Sequence, residues 1–381
     1  MNPETHGVII GRFMPPHAGH QYLVDFARNM CDRLTVLVCT LSSEPIPGEL
    51  RYGWMQELFP DVTMVHITEE IPEASKDSPT AIPIWADTVR EYLTGPPTYV
   101  FASEDYGAPL AAELGARFVP VDPARRQFPV SATMIRENPL ANWDYIPEPV
   151  RPYFLRRVRV VEDAPARSTA EDPGRGPAGP SLAQRLADHY RTLFVSDYGR
   201  FWESTVGAIG PDELPLVQGA QQAVEDALAR RASRVLFCES DPLQIALRRG
   251  FDGGTDTRQG GSGTRQGGTD TRQGGTDTQQ GGTGTRQGGT DTRQGGGYDL
   301  TLLVESHRGA NSGPAAGSAG TDRPASDSAP ADSQAGALID RVESALLERG
   351  ATVARIGAPS EHELLDLAVS EVERILRSGG G

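Results

Sequence analysis

Gly11-Arg12-Phe13-Met14-Pro15-Pro16-His17-Ala18-Gly19-His20 separates an apolar run, Gly7-Val8-Ile9-Ile10, from Gln21-Tyr22-Leu23-Val24-Asp25-Phe26-Ala27. The run before it has the length and composition of a short buried strand. After it, the apolar residues at 22, 23, 26 and 27 recur at helical spacing. Strand, Gly/Pro-rich turn and helix together bring backbone N–H groups and a helix N-terminus to bear on a phosphate. His17 and His20 frame the turn, close enough to face one anion together. Each imidazole can donate to a phosphate oxygen, and charge developing there favours its protonated form. A histidine in a turn can also serve as a local hydrogen-bonding group.

A second stretch, Val130-Ser131-Ala132-Thr133-Met134-Ile135-Arg136, has the form of a strand end and helix start, with hydroxyls at an N-cap and a cation one turn in. Ser131 as a plain cap and Arg136 in a surface ion pair are the alternative readings. Between the two stretches, strand and helix patterns alternate. Residues 34–41, 62–67, 99–102 and 117–121 read as strands, and 49–59 and 80–94 as helices. The β-branched run at 34–41 suits a sheet covered on both faces. The alternation predicts a doubly wound parallel sheet of the Rossmann-like α/β class, with ligands outside the carboxyl ends of the strands, where the two stretches can meet.

Taken together, Gly-x-Phe-x-Pro-x-His-x-Gly-His and Ser-x-Thr-x-Ile-Arg resemble the HxGH nucleotidyltransferase superfamily of adenylyl- and cytidylyltransferases. Within it, the likeness is to the NadR-type bifunctional proteins, in which a nicotinamide-nucleotide adenylyltransferase precedes a ribosylnicotinamide kinase. Pro47–Tyr52, Ser103–Gly107, Trp143–Pro147 and Arg151–Phe154 fit the same family, and the resemblance is continuous over roughly 1–160. It implies adenylyl transfer from ATP to nicotinamide mononucleotide, giving NAD and pyrophosphate. His17, His20 and Arg136 would be catalytic. Gly11, Phe13, Gly19, Ser131 and Thr133 would bind ATP. Mg²⁺ would be held through the ATP phosphates rather than by protein ligands. Arg12 would reach a substrate phosphate or lie on the surface. Trp85 would stack on the nicotinamide ring or belong to the core. Asp105 would contact a ribose or amide, or simply form its turn.

The resemblance places a phosphate-binding loop with a lysine after the strand at 157–161. Here Glu162-Asp163-Ala164-Pro165 and a Pro/Gly/Ala-rich stretch follow instead. The nearest match to G-x-x-x-x-G-K-[ST] is Gly174, Gly179 and Ser181, with Pro180 where the lysine belongs. Proline supplies no cation and removes an N–H from the cradle. Asp197, Glu239 and Asp241 occupy the kinase-like acidic positions, although a strand ending in solvated acids reads the same way. Residues 255–296 are six imperfect copies of the seven-residue unit Thr-Asp-Thr-Arg-Gln-Gly-Gly, without an apolar residue and unable to bury a core. Helices are expected at 182–193, 218–232, 336–348 and 360–377, and strands at 298–304 and 352–356.

The expected organisation is an adenylyltransferase-like domain at 1–150 and a degenerate P-loop-kinase-like α/β domain at 151–381, interrupted by low-complexity segments at about 162–180, 253–297 and 309–335. The alternatives are a fully bifunctional enzyme that also phosphorylates nicotinamide riboside, a transferase for another phosphate acceptor, and a non-catalytic NAD-metabolite sensor. A formal net charge of −15 argues against general affinity for nucleic acid or anionic membranes, and residues 1–6 leave no room for a helix-turn-helix. Three scattered cysteines and the lack of an apolar span or leader predict a cytoplasmic protein with small-molecule partners, ATP and nicotinamide mononucleotide. A homo-oligomer is the one macromolecular assembly left open.

Overall fold

The computed structural model describes residues 4–69, 81–162, 180–240, 242–248, 297–304 and 331–378. Gly174, Gly179, Asp241 and the repeats at 255–296 lie outside the described residues, as do 163–179 and 305–330.

Among the described residues, strands and helices alternate except at 132–154 and 198–229, where helical elements follow one another. The first part runs β1 (His6–Gly11), α1 (Ala18–Arg28), β2 (Arg33–Cys39), α2 (Gly48–Leu58), β3 (Thr63–Ile67), α3 (Ala81–Tyr92), β4 (Tyr99–Ala102), α4 (Gly107–Leu114), β5 (Arg117–Pro120) and α5 (Ala132–Glu137). A 3-10 turn (Trp143–Tyr145) and α6 (Arg151–Phe154) lead to β6 (Arg156–Glu162), α7 (Leu182–Tyr190), β7 (Phe194–Val195), α8 (Tyr198–Thr205), α9 (Leu214–Ala229), β8 (Val235–Cys238) and α10 (Pro242–Arg248). The chain closes with β9 (Leu300–Val304), α11 (Ala331–Leu347), β10 (Val353–Ile356) and α12 (Glu361–Ser378).

The strands form two five-stranded parallel sheets, ordered β3-β2-β1-β4-β5 and β10-β9-β6-β8-β7. This is the doubly wound α/β class expected from the alternating pattern. In the first sheet the chain leaves β1 toward β2 and β3, then returns to β4 on the other side. The carboxyl end of β1, where Gly11 lies, is therefore the topological switch point. In the second sheet β6 is the corresponding central strand.

Alternate residues of the central strands feed opposite faces. Val8 and Ile10 pack with Leu37, Ile67, Trp85 and Leu110, whereas Ile9 packs with Leu23, Val36, Val38 and Phe101. Each fully buried aliphatic side chain of this kind contributes roughly 1.5–3 kcal/mol. A third cluster joins the two sheets: Ile46, Trp54, Val130, Ile135, Trp143 and Val150 share it with Val195, Ala229, Leu236 and Cys238. The Pro-rich stretch between the sheets is thus partly core rather than a solvated linker.

Several boundaries differ from the sequence reading for local reasons. α7 stops at Tyr190 because Arg191 turns left-handed (φ 52°), and the Thr192 hydroxyl then donates to the Val235 carbonyl at 2.7 Å. α9 starts at Leu214, four residues before the amphipathic pattern, with Pro215 in its first turn, where a missing N–H costs nothing. α11 begins at Ala331, inside the stretch read as low-complexity. Alanine, the best helix former, recurs there.

The carboxyl ends of β1 and β2 are tied by one cation. Arg51 of α2 is fully buried. Its Nη1 donates to the Arg12 carbonyl at 2.7 Å and the Cys39 carbonyl at 3.4 Å, its Nε donates to the Ile46 carbonyl at 3.1 Å, and its Nη2 pairs with Glu44. Burial pulls its pKa down, and Glu44 opposes that shift. Arg51→Met should cost about 3–5 kcal/mol of unfolding free energy, because three carbonyls would lose their donor and Glu44 would stay buried with only the longer Arg12 contact at 3.5 Å. Urea denaturation of the full chain measures this, and a loss below about 1 kcal/mol would show that the tie is dispensable.

Candidate active site

His17 is the N-cap of α1, and its Nδ1 accepts the Gly19 N–H at 3.1 Å. A Cβ on Gly19 would stand 3.0 Å from His17 Cε1 and 3.1 Å from Nδ1, so glycine leaves room for this imidazole cap. Because Nδ1 accepts, neutral His17 carries its proton on Nε2, which is left as the donor. His20, one turn along, stacks on His17 with ring centroids 3.8 Å apart and planes inclined by 28°. Phe13 presents an edge to His20 at 4.9 Å. Phe13 is itself buried, and its backbone is left-handed (φ 48°), in a turn that contains a cis Met14–Pro15 peptide.

Burial sets the protonation of the pair. It lowers His17 from 6.5 to about 4, with the charge of Arg125 adding to the effect. It pushes His20 well below the ordinary histidine value, helped by His17 and by Arg125. His20 Nδ1 is buried with no hydrogen-bond partner among the described residues. Burial thus favours the neutral form of both rings near neutral pH. A phosphate placed against them supplies the counter-charge that protonation requires.

The downstream motif reaches the same turn. Ser131 caps α5, its Oγ accepting the Met134 N–H at 3.1 Å. Arg136 donates from Nη1 to the Met14 carbonyl at 2.5 Å and from Nη2 to Thr133 Oγ1 at 3.1 Å. A guanidinium distant in sequence is thereby fixed to the loop after β1. The turn after β4 is attached there too, since the Tyr106 hydroxyl donates to the Ile10 carbonyl at 2.6 Å.

The remaining candidates take different places. Arg12 pairs with the nearly buried Glu44 at 3.5 Å. Asp105 is exposed in the turn after β4. Trp85 is only 6% exposed within the core cluster over α3, with Tyr106 tilted against it at 6.2 Å. In the second sheet, Pro180 is exposed and Ser181 caps α7, its Oγ accepting the Gln184 N–H at 3.1 Å. Glu162, at the end of β6, accepts the Leu182 N–H at 3.2 Å. Asp197 caps α8 and pairs with Arg200, and its own N–H donates to Glu239 at 3.2 Å. Among the described residues, no group of three His, Cys, Asp or Glu side chains is arranged to hold a metal ion. No described helix is long and apolar enough to cross a membrane.

Sequence reasoning did not single out Arg51 or Arg125. Arg51 reads as an ordinary polar residue of a helix. The available signal for Arg125 was Val121-Asp122-Pro123, a turn-forming sequence shortly before the Ser131 cap.

The proton linkage follows from the direction of the His17 shift. The unfolded chain binds a proton below pH 6.5, whereas folded His17 resists it down to about 4. Stability should therefore fall as pH drops through that window. In ligand-free protein, His17→Gln should make Tm fall less steeply between pH 6.5 and 4, with the share due to His20 remaining. An unchanged slope would mean that the ring is protonated in the folded state.

No family model matches the chain. It is 28% identical over 264 residues to the trifunctional NAD biosynthesis/regulator protein NadR of Escherichia coli strain K12, and 27% identical over 260 residues to that of Salmonella typhimurium. Each alignment covers 62% of this chain and 60% of the relative, so the chain spans less than two thirds of those proteins. In fold it is similar to the crystal structure of a NadR protein in complex with NAD and AMP-PNP (TM-score 0.59, 18% identity, 97% of this chain and 96% of that one). A NadR protein in complex with NR gives a TM-score of 0.64 at 17% identity, covering 98% and 96%. Sequence likeness and architecture agree with the likeness carried by the two motifs: the chain is similar to NadR proteins in sequence over 62% of its length and in fold over nearly all of it.

Proposed function

We propose that this chain transfers the adenylyl group of ATP to nicotinamide mononucleotide, forming NAD and releasing pyrophosphate. The observation that carries the reading is the attachment of Arg136 to the loop bearing the stacked His17–His20 pair. This gathers a fixed cation and two imidazoles around one helix N-terminus at the switch point of the first sheet. A phosphate oxygen of the mononucleotide attacks the α-phosphorus in line, the new P–O bond forms, and pyrophosphate leaves with the electron pair of the bond that breaks. Such a transfer needs positioning and charge stabilisation rather than a covalent intermediate. His17 Nε2–H and His20 donate to oxygens on which charge accumulates, while Arg136 holds the leaving phosphates. Mg²⁺ travels on the ATP phosphates and their water shell. The relatives named as NAD biosynthesis proteins support the choice of acceptor.

Residues 1–150 form the transferase unit in this reading, and 151–381 a kinase-like unit that no longer phosphorylates nicotinamide riboside. Pro180 replaces the expected lysine. Ser181 Oγ is committed to the Gln184 N–H, and the Glu162 carboxylate takes the Leu182 N–H that would otherwise be available to a phosphate.

Product analysis of the full chain with ATP, Mg²⁺ and either substrate tests both halves. NAD should form from the mononucleotide, and the riboside should remain unphosphorylated. His20→Ala should lower kcat by about 10²–10³, the usual effect of removing one such donor, without changing the circular dichroism. Absence of NAD would sink the acceptor assignment, and turnover with other phosphates would redirect it. Pro180→Lys alone should leave the riboside untouched, because Glu162 still occupies the start of α7. Riboside phosphorylation by the unaltered chain would overturn the inactive-kinase reading.

A further inference from the structure

After β5 the chain turns through residues 122–128 before reaching the Ser131 cap. Asp122 builds this turn, its carboxylate accepting the backbone N–H groups of Arg126 at 2.8 Å, Gln127 at 3.0 Å and Phe128 at 3.4 Å. Asp122 (φ 45°) and Arg125 (φ 50°) both hold left-handed backbone, which residues with a Cβ adopt at a cost. The turn lies across the start of α1: the Phe128 ring is 5.5 Å from that of Tyr22, and Phe128 Cβ stands 3.9 Å from where a Cβ on Gly19 would be. The turn that carries Arg125 thus lies beside the start of α1, next to the His17–His20 turn. Its charge bears on both imidazoles.

Its partner there is Glu104, in the turn after β4, at 3.6 Å. Side-chain exposures of 46% and 63% make this a solvated pair. Such pairs contribute little to folding and exchange partners readily. A guanidinium binds phosphate oxygens in a bidentate manner, more strongly than it holds one exposed carboxylate at this distance. Arg136 spends two of its five N–H donors on the Met14 carbonyl and the Thr133 hydroxyl and approaches from the α5 side, so a polyphosphate over the α1 N-terminus can take a second cation from the 122–128 turn.

We propose that Arg125 is a positioning cation for the triphosphate of ATP, and that Glu104 holds its guanidinium until the nucleotide displaces that carboxylate. The inference rests on the adenylyltransferase reading for the identity of the nucleotide. The geometry by itself asks only for a polyphosphate.

Calorimetric titration of the full chain with inorganic tripolyphosphate, and separately with ATP and Mg²⁺, tests it. Arg125→Gly suits the left-handed backbone and removes only the side chain. It should weaken both ligands by about tenfold or more, the usual scale for losing a charge-assisted hydrogen bond. Arg125→Lys should restore part of the loss, which a merely structural role would not predict. Glu104→Gln should tighten tripolyphosphate severalfold by releasing the cation. In steady state, Arg125→Gly should raise the KM for ATP far more than it lowers kcat, with the KM for the acceptor unchanged. Tripolyphosphate binding within twofold of the unaltered chain in Arg125→Gly would overturn the role of Arg125. No tightening in Glu104→Gln would overturn the exchange. If NAD is not formed but the tripolyphosphate effects appear, the nucleotidyl reading fails and the polyphosphate site stands.

Discussion

The candidate site depends on a buried cation that does not itself face it. Arg51 joins the carboxyl ends of β1 and β2 and the 41–47 loop by donating to three backbone carbonyls and one carboxylate. Burying a guanidinium alone would cost several kcal/mol, and only dense, well-formed hydrogen bonding offsets that. One of those acceptors, the Arg12 carbonyl, lies at the start of the turn after β1. The bonds therefore fix where Arg12 leaves the strand and, through it, where Phe13 and His17 fall. Glu44 takes Arg51 on one side and Arg12 on the other, so the charge that neutralises the buried cation also restrains the exposed one.

With that turn fixed, the electrostatics of the site follow from what is buried and what is not. Two imidazoles stacked at 3.8 Å cannot both be protonated cheaply, and burial depresses each further. In the proposed reading they are donors to an anion rather than standing cations. The standing charge comes from arginines at the rim: Arg136 fixed to the Met14 carbonyl, and Arg125 on its Asp122-built turn. This division suits a transfer between phosphates. Fixed cations draw the polyanion in, and neutral donors then meet charge where it develops.

The first sheet was legible because its signals are local. The period of the apolar residues separates β1 from α1, and the Gly/Pro turn between them has the form that phosphate sites use. Ser131 was readable as a cap for the same reason, since a hydroxyl before an apolar helical pattern needs no tertiary information, whereas Ser181, read as part of a phosphate loop, is a cap as well. Arg51 was not legible. Its helix carries no pattern that distinguishes an inward arginine from an outward one, and its acceptors come from three separate segments. Trp85 shows the converse: the sequence left core and ligand-stacking roles open, and the ring lies largely within the core. The two-residue β7 is shorter than any period that could announce it. The contact of Glu162 with Leu182 joins residues on either side of a long intervening segment, which no local pattern encodes.

The second sheet has physical work to do whether or not its own phosphate loop functions. Val130 precedes the Ser131–Arg136 motif and Ile135 lies within it, and both belong to the cluster completed by Val195, Ala229, Leu236 and Cys238 from the second sheet. Trp54 of α2, the helix that carries Arg51, belongs to it as well. Polar ties reinforce the junction: Arg234 Nε donates to the Leu140 carbonyl at 2.8 Å, and Arg230 pairs with Glu57. Removing the second sheet would expose the apolar side of α5 and α2 to water and loosen the helix that aims Arg136. In the proposed reading, a kinase-like unit without its lysine persists as a packing partner. The constraint on its β7, α9 and β8 is then the shape and hydrophobicity of the shared core, whereas the loops at its own strand ends are free of that constraint.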